Sequence, residues 1–362
     1  MFELTGTDAT ARAGVLHTAH GSIPTPAFMP VGTHAAVNAV LPDQLVAHDA
    51  HILVCNAFRL YQQPGPSVLK GYDSVHRFMA WDGAILTDSG GFQVYSLKER
   101  ELTEQGVRFP TPKGPVDWTP ELAIDAQVLL GSDFVMPLDV CVSLPTTYDK
   151  AKAAMERTLR WAKRCQDHGG LRPYQVLFGI VQGATFPDLR ARCIEELEAM
   201  GLPAYAIGGL NVGESPEEYR RTLEETSLPA HKPRYLMGVG RPEAMLEAVA
   251  AGVDIMDSII PTKYAREGTV LTYRGRINLQ KPNYARDRYP IDPNCTCYTC
   301  RSVTRGYLHH LFETTRSTAQ AFAGLHNVAF CLRVMREARE AILDGRFDSY
   351  KAEIDRYYGR KG

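Results

Sequence analysis

Eight short apolar runs recur along the chain, each rich in β-branched or aromatic residues and each stopping at a small or polar residue. They read FMPVGT (28–33), ILVCNAF (52–58), AILTDSG (84–90), FVMPLDV (134–140), VLFGIVQG (176–183), YAIGGLNVG (205–213), YLMGVG (235–240) and DIMDSII (254–260). Between them the pattern changes to a helical period. TYDKAKAAMERTLRWAKRCQDH (147–168) sets Ala151, Met155, Leu159 and Ala162 three to four residues apart, on one helical face. FPDLRARCIEELEAM (186–200) and SPEEYRRTLEETS (215–227) begin with acidic residues, which suit the positive end of a helix dipole. GRPEAMLEAVAAG (240–252) has Pro near its start and Gly at its end. Near-continuous apolar strands alternating with helices predict a parallel sheet covered on its faces, and eight such units close a (β/α)8 TIM barrel. An open doubly wound sheet uses the same alternation, but no Gly-rich dinucleotide fingerprint follows the first run.

Two stretches break the rhythm. Segment 93–120, QVYSLKERELTEQGVRFPTPKGPVDWTP, alternates and turns at Pro and Gly, which predicts a β-hairpin inserted into the barrel. From Thr269 onward the barrel rhythm is lost and a cysteine cluster appears. The expected organisation is a barrel core over 1–268, with its insertion near 93–120, and a subdomain over 269–362 packed on it with the final helices.

Composition narrows the function classes. The 362 residues are 44% hydrophobic and 22% charged, and no run of about eighteen apolar residues suggests a membrane-spanning helix. The opening MFELTGTDATARAG has neither the basic segment nor the apolar core of a secretory signal, so a cytoplasmic location with reduced or metal-bound cysteines is expected. A net charge of −1 leaves polyanion binding to a local patch. Residues 261–316 provide one, with ten Lys or Arg against four Asp or Glu and six interleaved tyrosines. Basic and aromatic side chains together suit phosphate contacts and base stacking on RNA.

Catalytic groups of a barrel sit where its strands end. Asp88 in LTDSGG, Asp139 in MPLDVC, Gln182 in IVQG and Asp257 in IMDSII all fall there, with Gly208 and Gly209 offering close backbone approach. One aspartate at a strand end commonly caps a helix or turn. Three with a glutamine amide form a better-defined set: two carboxylates can work on a glycosidic bond, and a third with an amide can read the edge of a base. Cys141, two residues past Asp139, is placed to line the same pocket. Cys295, Cys297 and Cys300 have the C-x-C-x2-C spacing of a zinc site, and His309, His310 or His326 could supply a fourth ligand. A closed Cys3His site is structural, because no position is left for water. A zinc-dependent barrel hydrolase would need an open metal site and a His-x-His pair after the first strand, where only His34 occurs.

Together these segments resemble the tRNA-guanine transglycosylases, the queuine tRNA-ribosyltransferase family, in their bacterial form. The matching stretches are TPAFMPVGT, LTDSGGFQVYSL, LLGSDFVMPLD, MERTLRWAKR, LFGIVQG, AIGGLNVGE, YLMGVGRP, GVDIMDSIIPT and CTCYTC…LHN, in the family's order from about residue 25 to 330. The resemblance implies a barrel with a zinc-bearing subdomain that exchanges the wobble guanine of GUN-anticodon tRNAs for a 7-deazaguanine. Those tRNAs are the ones for Asp, Asn, His and Tyr. Asp257 corresponds to the nucleophile at ribose C1′ and Asp88 to the general acid/base. Ser89, Asp139, Cys141, Gln182 and the Gly209–Leu210 backbone correspond to the base site, with Phe92 and Met237 on the two faces of the base. Lys263 and Arg266 match tRNA contacts, and Cys295, Cys297, Cys300 and His326 match the ligands of one structural Zn2+. Val212 and Glu214 follow the bacterial pattern, which is associated with the aminomethyl base preQ1. A homodimer is implied as well. Three departures stand out: NAFRL at 56–60 where the family has NTYHL, Val140 in place of a glutamate, and Lys263 where an arginine is usual.

Overall fold

The computed structural model describes residues 1–95, 97, 99–111 and 114–359. Ser96, Lys98, Pro112 and Lys113, which belong to the segment expected as a hairpin, lie outside the described residues. Each of the eight apolar runs holds one strand: β1 Ala27–Pro30, β2 Ile52–Asn56, β3 Ala84–Asp88, β4 Phe134–Val135, β5 Val176–Val181, β6 Ala204–Ile207, β7 Arg234–Leu236 and β8 Ile255–Ser258. All pair in parallel in the order β1-β8-β7-β6-β5-β4-β3-β2. A parallel bridge between Val31 and Val54, with Gly32 N–H donating to Val54 C=O at 2.7 Å, brings the two ends together. The fold is the (β/α)8 barrel that the periodicity predicts.

Strand parity sorts the side chains. Ile52, Val54, Ala84, Leu86, Phe178, Ile180, Ala204, Ala206, Tyr235 and Ile255 fill the barrel interior. Their neighbours Leu53, Cys55, Ile85, Leu177, Tyr205, Ile207, Leu236 and Met256 face outward, into the core shared with the helices. A period of two explains both sets, since successive strand residues point to opposite faces.

Strand β4 is shorter than its sequence run. Pro137 has no N–H to give, and Met136 bonds instead to the side-chain amide of buried Gln127, at 2.8 Å through both N–H and C=O. A side chain thus replaces the ladder where the barrel wall opens toward Asp139.

Two regions depart from the sequence reading. The insertion is a three-stranded antiparallel sheet (Glu101–Leu102, Val107–Phe109, Val116–Trp118) preceded by a short helix, Gly91–Tyr95. The first 25 residues are not barrel at all. They form an antiparallel sheet of Phe2–Asp8, Ala11–Thr18 and Gly21–Thr25. Leu16 and Ile23 of this sheet join the barrel-interior core, so it plugs the end opposite the strand C-termini. The buried pair Arg12–Asp254, 2.9 Å apart, ties it to the start of β8.

The 28-residue helix Arg316–Leu343 runs from the cysteine cluster to this N-terminal sheet. Buried Asn327 fixes it, accepting from Leu271 N–H at 2.9 Å and donating to Pro261 and Thr269 carbonyls at 3.0 Å. Among the described residues, no helix is long and apolar enough to cross a membrane.

Candidate active site

The parity that fills the barrel also builds its mouth. One step beyond Ala84 and Leu86 comes Asp88; beyond Phe178 and Ile180, Gln182; beyond Ile255, Asp257; beyond Ile52 and Val54, Asn56. All four therefore turn inward at the C-terminal ends of their strands.

Asp257 Oδ1 accepts from the Tyr235 hydroxyl at 2.7 Å and from Gly238 N–H at 3.0 Å. That clamp fixes the carboxylate and, among the described residues, leaves Oδ2 as the oxygen without a side-chain donor. Asp88 Oδ2 accepts from Asn56 Nδ2 at 2.7 Å, and Oδ1 from Gly90 N–H at 3.1 Å. Asn56 is 2% exposed, and its Oδ1 caps the following helix through Arg59 N–H at 2.7 Å. Its two ends are thus committed, which holds Asp88 in one orientation.

Burial raises the Asp88 pKa to about 7, against the donors Gly90 and Asn56 and with help from the Asp257 charge. Asp257 is also raised by burial, with Gly238 and Tyr235 opposing. The two are held differently: both donors to Asp257 sit on one oxygen, while those to Asp88 are divided between its two oxygens. A carboxyl near pH 7 can give and take a proton at neutral pH.

This has a cost in stability. The folded Asp88 carboxyl holds its proton more tightly than the unfolded one, whose pKa is about 3.9. Folding is therefore penalised progressively as pH rises from about 4 to about 7, and the penalty is complete above that. Asp88→Asn is expected to gain roughly 1–3 kcal/mol toward urea at pH 8, discounted for solvent at the barrel mouth. The gain should shrink steadily toward pH 4; a gain independent of pH would remove Asp88 burial as its cause.

A second group lies beside the first. Asp139 Oδ2 accepts from Gln182 Nε2 at 2.8 Å, and burial raises the Asp139 pKa to about 6 against that bond. A Cβ on Gly91 would come within 2.7 Å of Asp139 Oδ1, and one on Gly209 (φ +70°) within 2.7 Å of Gln182 Oε1. Only glycine lets both backbones lie this close. Burial, then the Asp139 charge, pushes the Cys141 thiol up to about 12, so it stays neutral. Ser89 is buried, with its carbonyl accepting from Trp118 Nε1 at 2.9 Å. Leu210 is buried; Val212 and Met237 are half-buried; Phe92 is 61% exposed on the short helix after β3. Glu214 accepts from the N–H groups of Asn211 and Val212 and so shapes its own loop.

Lys263 and Arg266 are exposed on the helix Ile260–Arg266, which starts just after β8. The structure thus gathers Asp88 with Asp257 and Asp139 with Gln182, Cys141 and Gly209, and puts the two basic residues on a separate, solvated element. Asn56 and Tyr235, which hold the two aspartates, were not singled out from the sequence. Strand parity was the signal that could have found them, since both occupy inward positions.

The cysteine cluster has its own core, with Leu279, Ile291, Leu308 and Leu311. Cys295, Cys297, Cys300 and His326 bring one ligand atom each within 4.8 Å of one another. His326 Nδ1 lies 3.2 Å from Cys300 Sγ and 3.6 Å from Cys297 Sγ. Its Nε2 faces the Leu271 carbonyl at 2.7 Å, so the proton sits there and Nδ1 presents its lone pair to the sulfurs. His309 instead points its Nδ1 at the Leu279 carbonyl. Four soft and borderline donors in this arrangement fit a closed tetrahedral metal site.

His20, His76 and Asp133 form a second compact group, at the plugged end of the barrel. The two imidazoles stack at 3.8 Å with 17° between their planes. Asp133 Oδ1 lies 2.8 Å from His20 Nδ1, and its Oδ2 lies 3.2 Å from His76 Nε2. The group is a carboxylate bridging two stacked rings.

Known proteins resemble the chain over nearly its full length. The family model described as queuine tRNA-ribosyltransferase matches residues 8–360. A queuine tRNA-ribosyltransferase of Caldanaerobacter subterraneus subsp. tengcongensis is 46% identical over 360 residues, covering 97% of this chain and 95% of that one. Those of Lysinibacillus sphaericus and Bacillus subtilis are each 44% identical, covering 97% and 96% of this chain and 94% and 93% of theirs. Barrel, paired strand-end carboxylates and sequence similarity converge: the chain belongs to the queuine tRNA-ribosyltransferase family and is an enzyme of that kind, a tRNA-guanine transglycosylase.

Proposed function

We propose that this enzyme replaces guanine at the wobble position of GUN-anticodon tRNAs with preQ1, through a covalent ribosyl-Asp257 intermediate, in the cytoplasm and as a homodimer. The observation that carries the reading is the pair of differently held carboxylates at the barrel mouth, Asp257 clamped through one oxygen and Asp88 tuned to about 7. Asp257 Oδ2 attacks ribose C1′ as the C1′–N9 bond breaks, and the bond's electron pair leaves with the base. Asp88, protonated near neutrality, gives that base its proton. The incoming base then loses a proton to Asp88 and attacks C1′ from the side guanine left, while the C1′–Oδ2 ester bond breaks and its electron pair returns to Asp257 as the free carboxylate. Two inversions retain the β-configuration, and no cofactor is consumed because the ester keeps the glycosidic bond's energy.

Guanine presents a carbonyl acceptor beside N–H donors. Asp139 offers an acceptor for the N–H edge, and Gln182 and the Gly209 N–H offer donors for the carbonyl. The extruded nucleotide is least costly to reach in a single-stranded anticodon loop. Lys263 and Arg266 beside β8 would hold the loop's phosphates. Cys295, Cys297, Cys300 and His326 would hold one Zn2+ that fixes the shape of the tyrosine-rich basic surface.

A side-by-side exchange assay tests the substrate. Labelled guanine, preQ1 and queuine are offered with a GUN-anticodon tRNA; preQ1 and guanine should be incorporated and queuine at least about tenfold less efficiently, because the branched Val212 would leave less room for a bulky base than a smaller residue. Preferential use of queuine would overturn the preQ1 assignment.

A further inference from the structure

Arg190 lies on the helix Pro187–Ala199, shortly after Gln182. Its side chain is 2% exposed, yet among the described residues no carboxylate pairs with it. Nε donates to Thr226 Oγ1 at 2.8 Å; Nη1 donates to the Gly208 carbonyl at 3.1 Å and the Ala184 carbonyl at 3.3 Å. Nη2 is buried without a hydrogen-bond partner among the described residues. Burial lowers the pKa only to about 10, so the group is a cation at neutral pH. An unpaired buried charge is costly, and helix packing on a barrel needs only an apolar side chain there.

What the guanidinium holds explains its presence. The Gly208–Gly209 peptide is trans, so its C=O and N–H point in opposite directions. With the Gly208 carbonyl drawn back onto Arg190, the Gly209 N–H must face forward. In this structure it is directed at the Cys141 thiol, beside Asp139 and Gln182. The positive φ of Gly209, and a Gln182 so close that a Cβ on either glycine would meet it at 2.7 Å, leave this peptide little room to turn.

We infer that Arg190 is a positioning residue that locks the Gly208–Gly209 peptide, aiming the Gly209 N–H at the carbonyl oxygen of the bound base with a buried cation behind it. The inference rests on the base-exchange reading above. When C1′–N9 breaks, the electron pair stays on the base, and its negative charge spreads to the ring carbonyl until Asp88 supplies a proton. A donor fixed in advance, backed by positive charge in a dry site, stabilises that charge without reorganisation.

The test uses Arg190→Met, Arg190→Lys and Thr226→Val in the full-length protein. Guanine exchange kinetics are measured with the dissociation constants of guanine and of 2-aminopurine, which lacks the carbonyl oxygen. Arg190→Met should lose roughly tenfold to a hundredfold in kcat/KM for guanine. The KM for tRNA and the affinity for 2-aminopurine should stay unchanged, and Lys should restore part of the loss. Thr226→Val, which releases Nε alone, should give a smaller loss of the same pattern and carries the test if Arg190→Met does not fold. Unchanged guanine exchange in a folded variant overturns the inference, and so do equal losses for both bases. If the wild-type protein exchanges no guanine, the base-exchange reading fails instead.

Discussion

Asp257→Ala is expected to incorporate no labelled guanine or preQ1 into tRNA, a loss of at least about a thousandfold in kcat, because a missing nucleophile removes the covalent route entirely. The effect should be confined to chemistry. Asp257 sits at the barrel mouth, while Lys263 and Arg266 are exposed on the next helix, so tRNA affinity should stay within about twofold of wild type. Removing a carboxylate whose charged form is disfavoured by burial should not lower the melting temperature at neutral pH. Trapping distinguishes the nucleophile from an electrostatic role: with tRNA and no incoming base, the wild-type protein should give a denaturant-resistant adduct and the alanine variant none. Tyr235→Phe provides a graded comparison. It deletes one of two donors to Oδ1 and leaves the attacking oxygen in place, so a loss of roughly tenfold is expected. Normal exchange by Asp257→Ala, or an adduct formed by it, would transfer the nucleophilic role elsewhere.

Much of this site follows from one property of a strand, its period of two. Once Ile180 is inside the barrel, Gln182 must be, and the same holds for Leu86 with Asp88 and Ile255 with Asp257. Sequence reasoning could therefore place these polar groups at the barrel mouth without knowing the barrel's dimensions. It could not locate what depends on contacts between distant segments. The N-terminal sheet pairs with nothing in the barrel ladder, and FELTGTD gives no apolar stripe to mark a buried face. Strand β4 ends early because Gln127, on a different element, takes its hydrogen bonds. Arg190 reads as an ordinary polar position of an amphipathic helix until the Gly208 carbonyl appears beside it. Among the three histidines, spacing alone left the fourth ligand open. The orientation of His326, with one nitrogen on the Leu271 carbonyl and the other among the sulfurs, favours it over His309.

Loss of the metal should unfold this second core while sparing the first. Three buried cysteines and a buried histidine replace much of the apolar packing that the segment of Ile291, Leu308 and Leu311 would otherwise need. Structural zinc supplies on the order of 10 kcal/mol in small domains, and here it would join the segment Cys295–Cys300 to the long helix through His326. Cys297→Ser or treatment with a strong chelator is expected to lower the melting temperature by roughly 5–10 °C and to weaken tRNA binding. Binding should suffer because the tyrosine-rich basic segment is built around the cluster. The barrel has a separate interior core, so far-ultraviolet circular dichroism should keep most of its signal. Because thiolates bind the ion and thiols do not, retention should fall as pH drops and protons compete for sulfur. His326→Ala should release the metal and His309→Ala should not. A metal-free protein that melts and binds tRNA as the loaded form does, yet cannot exchange bases, would move the ion from a structural to a chemical role. The closed set of four protein ligands argues against that outcome, since a catalytic ion needs a position left for water or substrate.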